Sequence, residues 1–224
     1  MGFFERINQY LHSSFGLVGR LLLIIAAVLI AYGAFNKPLW FMEFEAQMYK
    51  DPPLRLYIYA NRLEGGDVPN RDDIREINAL NHYIGMDPIV AEDFKEFLWL
   101  PLGFGIIVIL LLRAAVLGEF KTMIDALVIM LYFGGFSFYD FYHKLWYYGH
   151  NLAPDAPIKV DPFMPPIFGT KKIANFTVTS VPGHGSWMLF IAGGLILIAF
   201  LYESIAYLKR QRQGAAQTQA APPN

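Results

Sequence analysis

Leu98-Trp99-Leu100-Pro101-Leu102-Gly103-Phe104-Gly105-Ile106-Ile107-Val108-Ile109-Leu110-Leu111-Leu112-Arg113-Ala114-Ala115-Val116-Leu117 decides the fold class of this chain. Arg113 is its only charge, one turn from its end. A helix rises 1.5 Å per residue, so a run of about 20 residues reaches across a hydrocarbon core of about 30 Å. Read outward from it, Phe15–Phe35, Met123–Tyr139 and Trp187–Leu208 repeat the pattern at equal or nearly equal length. Composition agrees. Hydrophobic residues make up 55% and charged residues 17%, where a soluble domain carries about a quarter charged. The expectation is an all-α membrane protein with four transmembrane helices and a periplasmic cap made from two long loops.

The divisions follow from the same blocks. Residues 1–35 hold an N-terminal tail and the first span, 36–97 the first long loop, and 98–139 the second and third spans. Residues 140–186 form the second long loop, 187–208 the fourth span, and 209–224 an Ala/Gln/Pro-rich tail expected to be disordered. Tyr32-Gly33-Ala34-Phe35 makes a poor cleavage site, so the first block reads as a retained helix and not as a removed signal.

An even number of spans puts both termini on one side. Lys209-Arg210-Gln211-Arg212 abuts the last block, and Lys121 lies in the short connection between the second and third. Lys and Arg beside span ends mark the cytoplasmic side, so the termini are expected there, in a bacterial inner membrane. The long loops then face the periplasm. Trp40, Trp99, Trp146 and Trp187 all fall near span ends on that outer side, as an aromatic belt does.

Several functions are excluded or disfavoured. With no cysteine, disulfides, iron–sulfur clusters and thiol catalysis drop out. A net charge of −1 offers no basic surface to nucleic acid. Arg20, Arg113, Asp125 and Glu203 sit within a turn or two of the cytoplasmic ends, where they can snorkel. No charge falls at mid-bilayer, where transporters and pumps carry ionisable groups. No Ser/His/Asp pattern, HExxH or phosphate-binding glycine loop occurs, so no catalytic residues are named and the chain does not read as an enzyme.

The chemistry left over lies in the long loops. Asn70 is a candidate N-cap for a helix with Ile74, Ile77, Leu80 and Ile84 on one face. His82 and Met86 are four apart, and would share a face provided the helix holds through Gly85. Imidazole and thioether both ligate Cu(I). In the second loop Asp140, His143 and His150 recur at helical intervals in an aromatic-dense run, Met164 follows among prolines, and Pro182-Gly183-His184-Gly185 makes a turn. Phe176–Val181 alternates like a strand, while Leu54–Leu63 is undecided between helix and strand. The metal candidates are therefore His82, Met86, His150, His143, Met164 and His184. The competing reading at each is packing or an aromatic belt with incidental histidines.

Two strings add a resemblance. Asn81-His82-Tyr83-Ile84-Gly85-Met86 is one. The other is Tyr147-Tyr148-Gly149-His150-Asn151-Leu152-Ala153-Pro154-Asp155-Ala156-Pro157-Ile158, with Met164-Pro165-Pro166-Ile167-Phe168-Gly169 and Lys172-Ile173-Ala174-Asn175-Phe176 after it. Together they resemble a family of small bacterial membrane proteins found alongside the accessory proteins of nitrous-oxide reductase. The resemblance implies copper handling or reductase maturation at the periplasmic face, with copper, as Cu(I), the expected cofactor. The bilayer and a periplasmic or membrane protein are the expected partners. Two other readings stay open: a non-catalytic membrane subunit or docking anchor of a respiratory complex, and a haem- or quinone-interacting subunit using His143 or His184.

Overall fold

The computed structural model describes residues 2–220. Its helices are α1 (Phe3–Leu11), α2 (Leu17–Asn36), α3 (Asp73–Tyr83), α4 (Glu96–Leu117), α5 (Phe120–His150) and α6 (His184–Ala220). Its strands are β1 (Trp40–Ala46), β2 (Tyr49–Ile58), β3 (Leu63–Gly65), β4 (Gly169–Ile173) and β5 (Phe176–Pro182). Among the described residues four helical stretches are long and apolar enough to cross a membrane: Leu17–Asn36, Glu96–Leu117, Phe120–His150 and His184–Gly214. The chain is thus a multi-pass membrane protein, and the four expected spans are present. It is not all-α, because the long loops build a five-stranded sheet.

Two compact units can be distinguished. One comprises the residues up to Ile30, Gly105–Leu131 and those from Phe190 on; the other is Ala31–Phe104 with Tyr132–Leu189.

In the first unit the helices meet through small and medium side chains. Ala26, Ala27, Ala114, Ala115, Ala126, Ala192 and Ala199 are buried beside Leu23, Leu111, Met123 and Ile196. Small residues let helix backbones approach where lipid removes the hydrophobic incentive. Leu17, Leu21, Ile109 and Leu201 stay exposed, as lipid-facing residues do.

Two charges expected to snorkel here have structural work instead. Glu203 is 2% exposed. Its Oε2 accepts from the Gly16 amide (2.8 Å) and its Oε1 from the Gly19 amide (2.9 Å), at the N-terminus of α2. Arg20 sits at the opposite kind of end. Its Nη1 donates to the Ala115 and Val116 carbonyls (3.3 and 2.9 Å), which close α4. An anion on a helix N-terminus and a cation on a C-terminus both satisfy orphan backbone groups and oppose the helix dipole.

Gly118, at φ +71°, ends α4, and a Cβ there would lie 1.9 Å from Arg20 Nη2. Gly118→Ala is therefore expected to destabilise the protein by more than about 1 kcal/mol, from backbone strain and loss of the Arg20 seat. Thermal unfolding in detergent tests it; an unchanged midpoint would show that Arg20 relocates freely.

The second unit carries the sheet, ordered β3-β2-β1-β5-β4 with every neighbour antiparallel. β1 buries Trp40, Met42, Phe44 and Ala46 and turns Phe41, Glu43 and Glu45 outward. β5 alternates likewise, with Phe176, Val178 and Ser180 buried. The buried apolar ones join Leu54 and Leu56 of β2, Ile77 of α3 and Ile84 at its end, and Leu145 of α5 in one apolar cluster. The Trp40 indole donates to Ser180 Oγ (2.7 Å), which donates on to the Ile167 carbonyl (3.0 Å). A buried indole N–H thereby gains its partner.

β2 contains Pro52 and Pro53, residues with no amide N–H to donate to a sheet ladder. They fall where the register between β1 and β2 shifts, and β3 pairs only with Leu56–Ile58. Prolines are tolerated at such bulges and unpaired edges.

The N-cap of α3 is Asp72, whose side chain accepts from the Arg75 amide (3.2 Å). Asn70, the expected cap, lies before it at φ +58°. Tyr49 of β2 donates to Glu76 Oε2 (2.5 Å), a bond that raises the phenol above its ordinary pKa. α5 runs eleven residues past Tyr139, the expected end of the third span. The tail expected to be disordered from residue 209 continues α6 as helix to Ala220; its last residues lie outside the described part. Ala, Gln, Lys and Arg all favour a helix already under way.

Candidate functional site

The helix that was to pair His82 with Met86 stops short. Ile84 is its C-cap. The Gly85 amide donates to the His82 carbonyl (3.1 Å) and the Met86 amide to the Asn81 carbonyl (2.9 Å), with Gly85 at φ +79°. That is the Schellman pattern, with glycine supplying the left-handed residue. Met86 leaves the helical path and packs against the apolar cluster, while His82 faces outward. The condition on which the pair depended is therefore not met.

Gly85 has a second duty. Its carbonyl accepts from the Ala153 amide (2.8 Å), and the Tyr83 carbonyl accepts from the Ile158 amide (2.9 Å). The two strings singled out in the sequence thus meet by backbone pairing. A Cβ on Gly85 would lie 2.9 Å from both the Ala153 carbonyl and the Ala156 Cβ. Gly85→Ala is expected to cost about 1–3 kcal/mol, since overpacking adds to the strain of positive φ. Faster proteolysis within residues 83–86 and 151–158 would register the loosening; unchanged protection would separate the two strings energetically.

The other candidates are dispersed. His150 is part-exposed at the end of α5. Its Nδ1 lies 2.9 Å from the Trp146 carbonyl, and its ring stacks on Trp146 at 4.4 Å. Met164 is half-buried against the same cluster as Met86. His184 opens α6 and faces out, while its flanking glycines make the close contact: the Gly183 and Gly185 amides donate to Leu39 and Pro38 carbonyls (both 2.9 Å). Among the described residues no three His, Cys, Asp or Glu side chains stand close enough to hold a metal ion. The six expected ligands are not brought into one set.

Two arrangements do stand out. First, His143 lies in a ladder of rings along α5. Tyr139 stacks on His143 (6.2 Å), His143 on Trp146 (6.1 Å) and Trp146 on His150 (4.4 Å). The spacing of four, three and four residues keeps them on one helix face. Tyr139, His143 and Trp146 are exposed.

Second, Asp140 and His143 turn toward an open cleft of about 500 Å³, which Asp87, Asp93, Tyr147 and Tyr148 also line. Lys144, at its wall, is committed. Its Nζ pairs with Glu96 (2.7 Å), donates to the Asp93 carbonyl (3.0 Å) and sits over the Phe94 ring (4.1 Å). The Asp140 and Glu96 carboxyls are within hydrogen-bonding reach of each other. Asp140 and His143 are side chains of the acid–base kind, and among the described residues no Ser, Thr or Cys lines the cleft. No element of sequence spacing linked Glu96 to Asp140 or Lys144, which belong to different blocks.

No family model, curated protein or solved structure matches this chain.

Proposed function

We propose that the chain is a membrane-anchored accessory protein whose sheet-bearing unit docks a protein partner. In this reading the termini are cytoplasmic, and residues 36–97 and 140–186 work in the periplasm. The partner is a copper enzyme of the nitrous-oxide reductase kind or a protein that matures it, as the resemblance implies. The observation that carries the docking reading is the ladder Tyr139–His143–Trp146–His150. It offers stacked, exposed rings on a rigid helix whose Leu145 is anchored in the core of the same unit. Rigid aromatic surfaces are what interface hot spots are made of.

Copper enters as an ion shared with that partner. His82, His143 and His184 each present one outward imidazole, and a partner's donors would complete the set. Thioethers of Met86 and Met164 are occupied by packing. Competition with a chromophoric Cu(I) chelator should then show tighter binding by the complex than by the chain alone.

The test is genetic and chemical together. A deletion strain should yield periplasmic copper enzyme of reduced copper content. Trp146→Ala should reproduce much of that loss while the protein still accumulates in the membrane. A photo-crosslinker at Tyr142 or Trp146 should capture the enzyme or its maturation factor. Full copper loading in the deletion strain would overturn the proposal.

A further inference from the structure

The N-terminal helix α1 has no role in anything above. Its nine residues, Phe-Phe-Glu-Arg-Ile-Asn-Gln-Tyr-Leu, segregate by kind. At 3.6 residues per turn, Phe3, Phe4, Ile7, Tyr10 and Leu11 occupy an arc of about 120°. Glu5, Arg6, Asn8 and Gln9 fill the rest. The helix is far too short to cross a bilayer.

Its C-terminal end is fixed. The Tyr10 hydroxyl shares a hydrogen bond with Ser204 Oγ (2.8 Å), and its ring packs on Phe120 (4.6 Å) and Tyr207 (5.2 Å). Beyond it the Phe15 amide donates to the Gly118 carbonyl (2.8 Å), and the Phe120 amide donates to the Ser13 carbonyl (3.2 Å). The other end carries its apolar face uncovered: Phe3 is 73% exposed, Phe4 82% and Ile7 40%.

Three observations identify what covers that face. The helix is joined through residues 12–16 to α2, a helix long and apolar enough to cross a membrane, whose first turns expose Leu17, Val18 and Leu21. The anchor of Tyr10 on Tyr207 puts it within about a turn and a half of Lys209, Arg210 and Arg212. Those three residues, with Arg6, Arg113 and Lys121, are all exposed in the same unit. Aromatic and aliphatic side chains on one face, with cations around them, are the composition of a helix lying in a membrane interface.

We infer that α1 lies along the bilayer surface, with Phe3, Phe4 and Ile7 in the acyl boundary and the neighbouring cations on anionic phospholipid headgroups. The helix then holds the start of α5 and the Ser204–Tyr207 stretch of α6, through Tyr10, at a fixed depth.

The absence of cysteine makes the test direct. Single cysteines at positions 3, 4, 5, 7, 8 and 9 of the full chain carry a nitroxide. The protein is placed in nanodiscs of phosphatidylcholine and phosphatidylglycerol. Collision with oxygen reports lipid, and collision with a water-soluble nickel chelate reports solvent. Positions 3, 4 and 7 should favour oxygen severalfold over positions 5, 8 and 9. Equal nickel access at all six would mean a helix projecting into water. Loss of both collisions at 3, 4 and 7 would mean a protein partner or second copy covers the face. Either result overturns the inference. In discs of phosphatidylcholine alone the contrast should shrink, and an undiminished contrast would overturn the anionic-headgroup part. Phe3→Glu with Phe4→Glu should raise nickel access at position 7 severalfold.

Discussion

Asp73→Ala should be among the most destabilising single changes in this protein, at about 3–5 kcal/mol, because it strips the partner from a buried charge. The Asp73 side chain has no exposed surface and the Arg71 side chain little. Arg71 Nε donates to Asp73 Oδ1 (2.6 Å) and its Nη2 to Oδ2 (3.3 Å). The same carboxylate accepts from the Arg55 amide (2.8 Å) and the Gly66 amide (3.2 Å). Arg71 in turn donates to the Pro52 and Pro53 carbonyls (2.8 and 2.9 Å). One ion pair thus ties the irregular part of β2, the end of β3 and the start of α3. Removing the carboxylate leaves two backbone amides and a guanidinium short of acceptors, each a desolvated group without its compensation. Gly66 belongs to the device, since a Cβ there would lie 2.4 Å from Asp73 Oδ2.

Asp73→Asn keeps the volume and one acceptor, and should cost roughly half as much. Arg71→Met with Asp73→Ala should cost less than the sum of the two single changes, because they share one network. Trp40 lies in the core of this unit and reports its unfolding by fluorescence, while far-UV circular dichroism follows the helices. A loss below about 1 kcal/mol in Asp73→Ala would place the pair with surface ion pairs, which contribute that little.

The spans, the apolar stripe of α3 and the alternation in β5 were legible because periodicity and length leave few alternatives over those stretches. The rest of the sheet was obscured by particular residues. Trp40-Phe41-Met42 opens β1 with three apolar residues in a row, so alternation begins only at Met42. Pro52-Pro53 argues against a strand unless the bulge that holds them is known. The N-terminal segment was expected only as a tail because the apolar face of α1 emerges only at helical periodicity. The candidate ligands were chosen by residue type, and type does not fix position. The helix does not hold through Gly85, and its stop there releases Met86 from the face that His82 occupies. Charges were misplaced for a different reason. Glu203 meets Gly16 and Gly19 across more than 180 residues of chain, and no local spacing rule links them.

That contact sets the second large effect. Glu203→Ala should destabilise the membrane unit by about 3 kcal/mol or more, since a hydrogen bond to a charged group contributes about 1.5–3 kcal/mol and two are lost. The amides of Gly16 and Gly19 belong to the first turn of α2, which has no internal acceptor for them. At a site 2% exposed, water does not replace the carboxylate. The glycines exist for this approach. A Cβ at Gly19 would lie 2.8 Å from Glu203 Cγ, and one at Gly16 would lie 3.2 Å from its Oε1. Gly19→Ala should therefore destabilise in the same direction by about 1–3 kcal/mol, the cost of overpacking, with the carboxylate still present. Glu203→Gln retains one carbonyl acceptor and should fall between wild type and Glu203→Ala. Amide exchange over residues 16–20 discriminates the cause. Loss of the cap should speed exchange at the start of α2 and leave the middle of the helix protected. Uniform acceleration along α2 would mean that Glu203 holds the helix in its packing, and that capping is secondary. No acceleration in Glu203→Ala would show that another acceptor reaches the two amides, and the carboxylate would lose its assigned role.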